Sequence, residues 1–245
     1  MPDATDDIRL RGGLHIAQPE TGYRFSIDAL ILAHHVTPAP DDRIVDIGTG
    51  CGIIPMLLSR RYPEAYILGV ELQPELARIA EANIAANHMA GRIRVVEKNI
   101  QMVSVSETGQ VPIITCNPPH IPKTGGRISP NSQMAIARQE IRMSVKTLAD
   151  SASRLLLPKG RLFTIYPASR LTEVLLRLRE AGLEPKHIRT IHFKSDTPAR
   201  RIVIQAVKHG QPGVEMAPPL FIHAPDGTYT PEAQAIMNPG NYDHS

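Results

Sequence analysis

Asn117, Pro118, Pro119 and His120 stand together where the apolar run "VPIITC" ends. An amine on a purine, or an amide nitrogen, delocalises its lone pair into a π system and attacks a methyl sulfonium poorly. Two acceptors aimed at its N–H bonds, the Asn117 side-chain oxygen and the Pro118 carbonyl, can draw that nitrogen toward tetrahedral geometry and free the lone pair. No strong base is required. The two prolines fix the backbone so that a carbonyl points out of the strand, and a flat side chain at position 120 can stack on a base. An isolated Asn-Pro-Pro also makes a rigid turn with an Asn cap, so its meaning depends on its surroundings.

Two further run ends supply them. In "VDIGTGCG", Asp46 precedes Gly48, Gly50 and Gly52. Glycines there let the chain turn sharply and let a ligand approach the main chain. Glu71 closes the next run, 19 residues after Gly52, where a carboxylate can accept hydrogen bonds from ribose hydroxyls. The spacing is G-x-G-x-G, whereas dinucleotide sites show G-x-G-x-x-G with a pyrophosphate at a helix N-terminus. Asp46 would sit poorly beside a pyrophosphate but suits a ligand carrying an ammonium group and a single carboxylate. S-adenosylmethionine is such a ligand. Thr49 within the turn and Leu72 after Glu71 are counted with this site.

The elements that must hold these residues are short apolar runs alternating with helix-length segments. The runs are 43–48, 65–71, 92–97, 111–117, 160–166, 186–193 and 200–207. Helical patterns cover 53–62, 73–89 and 169–183, the last stopping at Gly182. The fold expected is α/β, doubly wound, with a mostly parallel seven-stranded sheet whose ligands bind beyond the carboxyl ends of the strands. Residues 1–245 read as a single domain, with 1–40 as an N-terminal cap segment and about 211–245 as a Pro-rich extension. Within that extension "PLFIHAPDGTYT" suggests a hairpin turning at Asp226-Gly227.

Composition removes other classes. A chain of 245 residues with 42% hydrophobic content supports one substantial core. No long uncharged apolar stretch occurs, and the first residues are acidic and polar, so a soluble, cytoplasmic protein without membrane association is expected. Cys51 and Cys116 lack metal-site spacing, and the ten histidines show no HExxH pattern. Buried thiols and no metal follow. Net charge is +3, but between Arg154 and Lys208 twelve basic residues face four acidic ones. That excess is either solvated helix and loop charge or the footprint of a polyanion.

At these residues the chain resembles the class I S-adenosylmethionine-dependent N-methyltransferases, and more narrowly the bacterial tRNA1(Val) adenine-N6 methyltransferases. The resemblance rests on "GYRFSIDALILAHHV" (22–36), "VDIGTGCGIIPMLLSRR" (45–61), "GVELQPELARIAEANI" (69–84), Asn-Pro-Pro followed by "ARQEI" (137–141), "PASRLTEVL" (167–175) and "PLFIHAPDGTYTPE" (219–232). It implies that Asp46, Gly48 and Gly50 line the methionine part of the cofactor, that Glu71 takes the ribose, and that Asn117, Pro118 and position 120 hold the target amine. Where the family has Asp after its third strand, this chain has Asn99, whose amide oxygen can accept the adenine amino group; Ile100 follows it. Phe25 and Asp28 fall in the segment that covers the methionine end in that family. His120 stands where an aromatic Tyr or Phe is usual. Lys123 and Arg127 can reach phosphates or solvate their loop. The substrate implied is structured RNA, a tRNA above others, with protein glutamine or rRNA as alternative acceptors and a non-catalytic RNA-binding protein as the reading from another class.

Overall fold

Two short antiparallel strands come first, β1 (Thr5–Arg9) and β2 (His15–Pro19), in a computed structural model that describes residues 5–10, 13–20, 25–119 and 143–238. The seven apolar runs follow as β3 (Arg43–Ile47), β4 (Tyr66–Glu71), β5 (Ile93–Glu97), β6 (Val111–Cys116), β7 (Leu156–Pro167), β8 (Leu183–His192) and β9 (Arg201–Lys208). An eighth strand joins their sheet, β10 (Glu215–Phe221), giving the order β10-β8-β9-β7-β6-β3-β4-β5. Only β9 runs antiparallel to its neighbours. β10 lies parallel to β8, with a register shift between Ala217 and Leu220 around its two prolines. An edge strand tolerates proline because one side has no ladder to complete.

Helices cover both faces. On one lie α1 (Ile27–His35), α2 (Ile53–Arg61) and α3 (Pro74–Ala86), joined near the C-terminus by α7 (Pro231–Met237); the short α4 (Val105–Thr108) connects β5 to β6, and α5 (Val145–Leu155) and α6 (Leu171–Glu180) cover the other face. Strand residues alternate accordingly. Ile44 and Ile113 pack toward α1–α3, whereas Val45 and Ile114 pack toward α5 and α6, all at most 1% exposed. Each such side chain contributes about 1.5–3 kcal/mol of burial. Ser26 caps α1, Ser144 caps α5 and Thr230 caps α7, each through its hydroxyl.

The C-terminal segment is part of this packing, since Leu220, Ile222, Ala233 and Ile236 are buried with α1 and α2. Its turn closes as expected at Gly227 (φ +87°), with one bridge between His223 and Tyr229 and Asp226 accepting the Thr228 N–H at 2.9 Å. Cys51 and Cys116 are both buried thiols, and burial pushes Cys51 up to about 12.

Candidate active site

The carboxyl ends of β3, β4, β5 and β6 converge on one cleft holding about 640 Å³ of open space. Gly48, Val70, Glu71, Leu72, Leu76, Lys98, Asn99, Ile100, Asn117, Pro119 and Met143 are among its walls. The glycine turn forms one side. Gly48, Gly50 and Gly52 have φ of +70°, +58° and +84°, a region that L side chains rarely adopt. A Cβ on Gly48 would meet nothing within 4 Å, so the main chain is bare toward the open space. The Gly48 N–H donates to the Val70 carbonyl at 2.8 Å, pinning the turn to the end of β4.

Glu71 completes that turn. It is 5% exposed, and its Oε2 accepts the Gly50 N–H at 2.8 Å while Oε1 accepts the N–H groups of Leu72 and Gln73, each at 2.9 Å. A carboxylate has about four lone-pair positions. Three are taken here, which leaves acceptor capacity on Oε2 for one ligand hydroxyl rather than two.

Asp46 lies fully buried at the end of β3, where Thr115 of β6 donates to its Oδ1 at 2.6 Å. Its Oδ2 has no hydrogen-bond partner among the described residues, and neither does the buried Thr49 hydroxyl. Burial raises the Asp46 carboxyl to about 7, against the opposing Thr115 hydroxyl and with a further upward push from Glu71. A buried carboxylate with one unanswered oxygen favours an approaching cation. Bare glycine main chain, a residual acceptor on Glu71, apolar walls from Val70, Leu72 and Ile100, and this unanswered Asp46 oxygen together fit S-adenosylmethionine, which brings an ammonium, a ribose and a flat base.

Asn117 leaves β6 half-buried on the opposite wall, beside buried Pro118 and half-buried Pro119. Thr115 is tied to Asp46, and Thr164 of β7 donates to the Cys116 carbonyl at 2.8 Å, so the strand end is held from both neighbours. Asn99 caps the 3-10 turn Ile100–Met102 by accepting the Gln101 N–H at 3.0 Å. One lone pair of its amide oxygen remains for a ligand.

Two further candidates lie at and just before the start of α1. Asp28, 6% exposed, is bound by the Arg201 guanidinium at 2.7 Å, and Phe25 packs partly buried against the core. Like Asp46, Thr49, Gly50 and Gly52, neither is among the residues that line the cleft. His120, Lys123, Arg127 and the "ARQEI" segment lie outside the described residues. Besides Val70 and Gln73, which flank Glu71 and Leu72, sequence reasoning missed Leu76, Lys98 and Met143, which reach the cleft from the first turn of α3, from after β5 and from before α5. Leu76 had a signal, being an apolar residue near the start of the helix that follows Glu71; the other two had none. Among the described residues no three His, Cys, Asp or Glu side chains cluster as a metal would need, and no helix is long and apolar enough to cross a membrane.

Comparison with known proteins places the chain in a family and the fold among solved structures. The sequence profile described as the methyltransferase small domain matches residues 24–177. A tRNA1(Val) (adenine(37)-N6)-methyltransferase of Porphyromonas gingivalis is 28% identical over 234 residues, covering 91% of each chain. A protein of the same name from a Shewanella species is 32% identical over 172 residues, 69% of this chain and 71% of that one. In fold, the chain superposes on the solved structure of a predicted O-methyltransferase of Agrobacterium tumefaciens with a TM-score of 0.71 at 21% identity, covering 87% of this chain and 96% of that one.

Proposed function

Because the chain belongs to the methyltransferase small domain family, we propose that it places a methyl group from S-adenosylmethionine on the N6 amine of an adenine in tRNA. The enzyme is an S-adenosylmethionine-dependent methyltransferase. The observation that carries the acceptor is the position of Asn117 and Pro119, which face the glycine turn and Glu71 across a single cleft at the end of β6. Relatives at 28% and 32% identity that are named for adenine-N6 methylation of tRNA support the same reading.

The roles follow from the residues present. When bound, the cofactor supplies an electrophilic methyl on a sulfonium, whose bonding pair stays on sulfur as the methyl departs. Gly48, Gly50 and Asp46 hold the methionine end, and the remaining acceptor position of Glu71 takes a ribose hydroxyl. Asn117 and the Pro118 carbonyl accept the two N–H bonds of the adenine amine, which localises its lone pair for in-line attack. The surplus proton on the methylated nitrogen passes to water.

Methyl transfer from labelled S-adenosylmethionine to total bacterial tRNA, followed by nucleoside analysis, tests this. Wild type is expected to yield N6-methyladenosine. Asn117→Ala is expected to lower the rate by about 10²-fold or more while retaining cofactor affinity. Cofactor binding without any labelled nucleoside in tRNA would redirect the acceptor to rRNA or protein glutamine.

A further inference from the structure

The structure divides the twelve basic side chains between Arg154 and Lys208. Most are answered locally, as Arg170 is by Glu173 at 2.9 Å, Arg189 by Glu232 at 2.7 Å and Arg201 by Asp28 at 2.7 Å. Others bind backbone carbonyls, as Lys186 does those of Gln211 and Gly213. The same holds for the remaining members except two. Among the described residues, Lys194 and Arg200 have neither a carboxylate nor a carbonyl partner for their side-chain charge.

Both stand on the turn between β8 and β9, beside Phe193, which is 47% exposed. The Arg200 guanidinium lies 5.7 Å from the centre of the Phe193 ring. The turn is stiff. Thr197 donates its N–H and its hydroxyl to the Lys194 carbonyl and accepts the Lys194 N–H, while His192 Nδ1 donates to the Thr197 carbonyl at 2.7 Å. The segment after β10 braces it from outside, with the Ile222 and His223 N–H groups donating to the His192 and Phe193 carbonyls at 2.9 and 2.8 Å. One step further out, the His223 and Tyr229 rings stack at 4.9 Å, with Tyr229 44% exposed.

Register fixes where this turn points. Arg201 lies opposite Pro167 and Thr164 lies opposite Cys116, so the turn rises from the same sheet edge as Asn117. At about 4.8 Å per strand it stands roughly 10–15 Å to the side of the β6 end. An exposed ring flanked by two unanswered cations is the chemistry of a single-stranded nucleic-acid platform, in which the ring stacks on any base and the cations meet phosphates.

Resting on the reading of an RNA acceptor, we infer that Phe193, Lys194 and Arg200 form a platform that holds the unpaired nucleotides flanking the target adenine. Base stacking on Phe193 and two phosphate contacts hold that strand in register while the adenine enters the cleft.

The test uses the full chain, with filter binding to tRNA and to a single-stranded RNA oligonucleotide across salt concentrations, beside methyl-transfer kinetics. Lys194→Ala with Arg200→Ala is expected to reduce the slope of log affinity against log salt by about 1.4 to 1.8. KM for tRNA is expected to rise about tenfold or more, with kcat at saturating RNA and cofactor affinity unchanged. Phe193→Ala is expected to weaken RNA binding about tenfold, and Phe193→Tyr to restore it. Arg177→Ala, which removes a charge that Glu180 already answers at 2.7 Å, is expected to behave as wild type. Variants of the turn that bind RNA with the wild-type affinity and salt slope would overturn the platform while leaving the proposed function in place. Binding that depends on the turn without formation of N6-methyladenosine would remove the proposed function and leave the platform. A wild type that binds neither RNA would overturn both.

Discussion

Glu71 shows how one side chain can be both scaffold and ligand contact. Its carboxylate closes the glycine turn through Gly50 and the start of the α3 segment through Leu72 and Gln73, so part of its binding capacity is spent before any ligand arrives. Glu71→Gln keeps the shape but cannot satisfy all three donors, because its amide nitrogen must face one N–H with another. This variant is expected to lose about 1–3 kcal/mol of stability and at least tenfold in cofactor affinity, measured by urea unfolding and by cofactor titration. Unchanged stability with weakened binding would mean that the turn does not depend on the Gly50 bond. The location of Glu71 was legible in the sequence, because in a doubly wound sheet functional groups gather where apolar runs end. Its three backbone partners were not, since Gly50 lies 21 residues away and the contact exists only once the turn has formed. The partner of Asp28 is hidden in the same way. Nothing local announces that Arg201, 173 residues distant, will take its carboxylate.

At the scale of elements, seven strands were legible because strands buried on both faces read as continuous Val, Ile and Leu runs. β10 was not. Glu215, Met216, Pro218 and Pro219 carry neither an apolar run nor clean alternation, and β10 is admitted to the sheet because it lies at the edge. α5 was available in principle, with Val145, Leu148, Ala149, Ala152 and Leu155 buried at helical spacing. The β1–β2 hairpin could not be foreseen, because its anchor is a pair of side chains on another element. Asn83 on α3 and Asn87 at its C-cap, one turn apart, act as a substitute strand for β2. Asn83 accepts the Ala17 N–H and donates to the Ala17 carbonyl, each at 2.8 Å, and Asn87 accepts the His15 N–H at 3.0 Å and donates to its carbonyl at 2.7 Å. Asn83 also donates to the carbonyl of Cys51 inside the glycine turn at 2.9 Å. One buried amide therefore couples the hairpin to the cofactor site. Asn83→Ala is expected to cost roughly 2–4 kcal/mol in urea unfolding and to weaken cofactor binding, whereas Asn87→Ala, further from the turn, should lower stability alone. Wild-type cofactor affinity in Asn83→Ala would show that the turn stands without the hairpin.

For the molecule as a whole, the titrations of two buried groups oppose one another. Asp46 is raised to about 7, so between its ordinary value near 3.8 and about 7 the native state holds a proton that the unfolded chain has released. Its contribution makes stability fall as pH rises through that window. His34, at the C-terminal end of α1, runs the other way. Burial first, then the charges of His35, Arg61 of α2 and Arg189 of β8, push it down to about 4, opposed by Glu232 of α7. Between about 4 and 6.5 the unfolded chain holds a proton that native His34 lacks, so stability rises with pH, and His35, also lowered by burial, adds in the same direction. The Asp46 slope offsets that of His34, so between about pH 5 and about pH 6.5 wild-type stability is expected to change only by what His35 adds, a rise with pH. Removing either group exposes the other. Relative to wild type, Asp46→Asn should make stability climb more steeply with pH across that interval and His34→Leu should shift the slope the other way, each by up to about 1.4 kcal/mol per pH unit. Urea midpoints at the two ends of the interval read these slopes directly and are insensitive to any constant change that a substitution makes in packing. Equal slopes in wild type and both variants would mean that Asp46 is already ionised and His34 already charged in the native state.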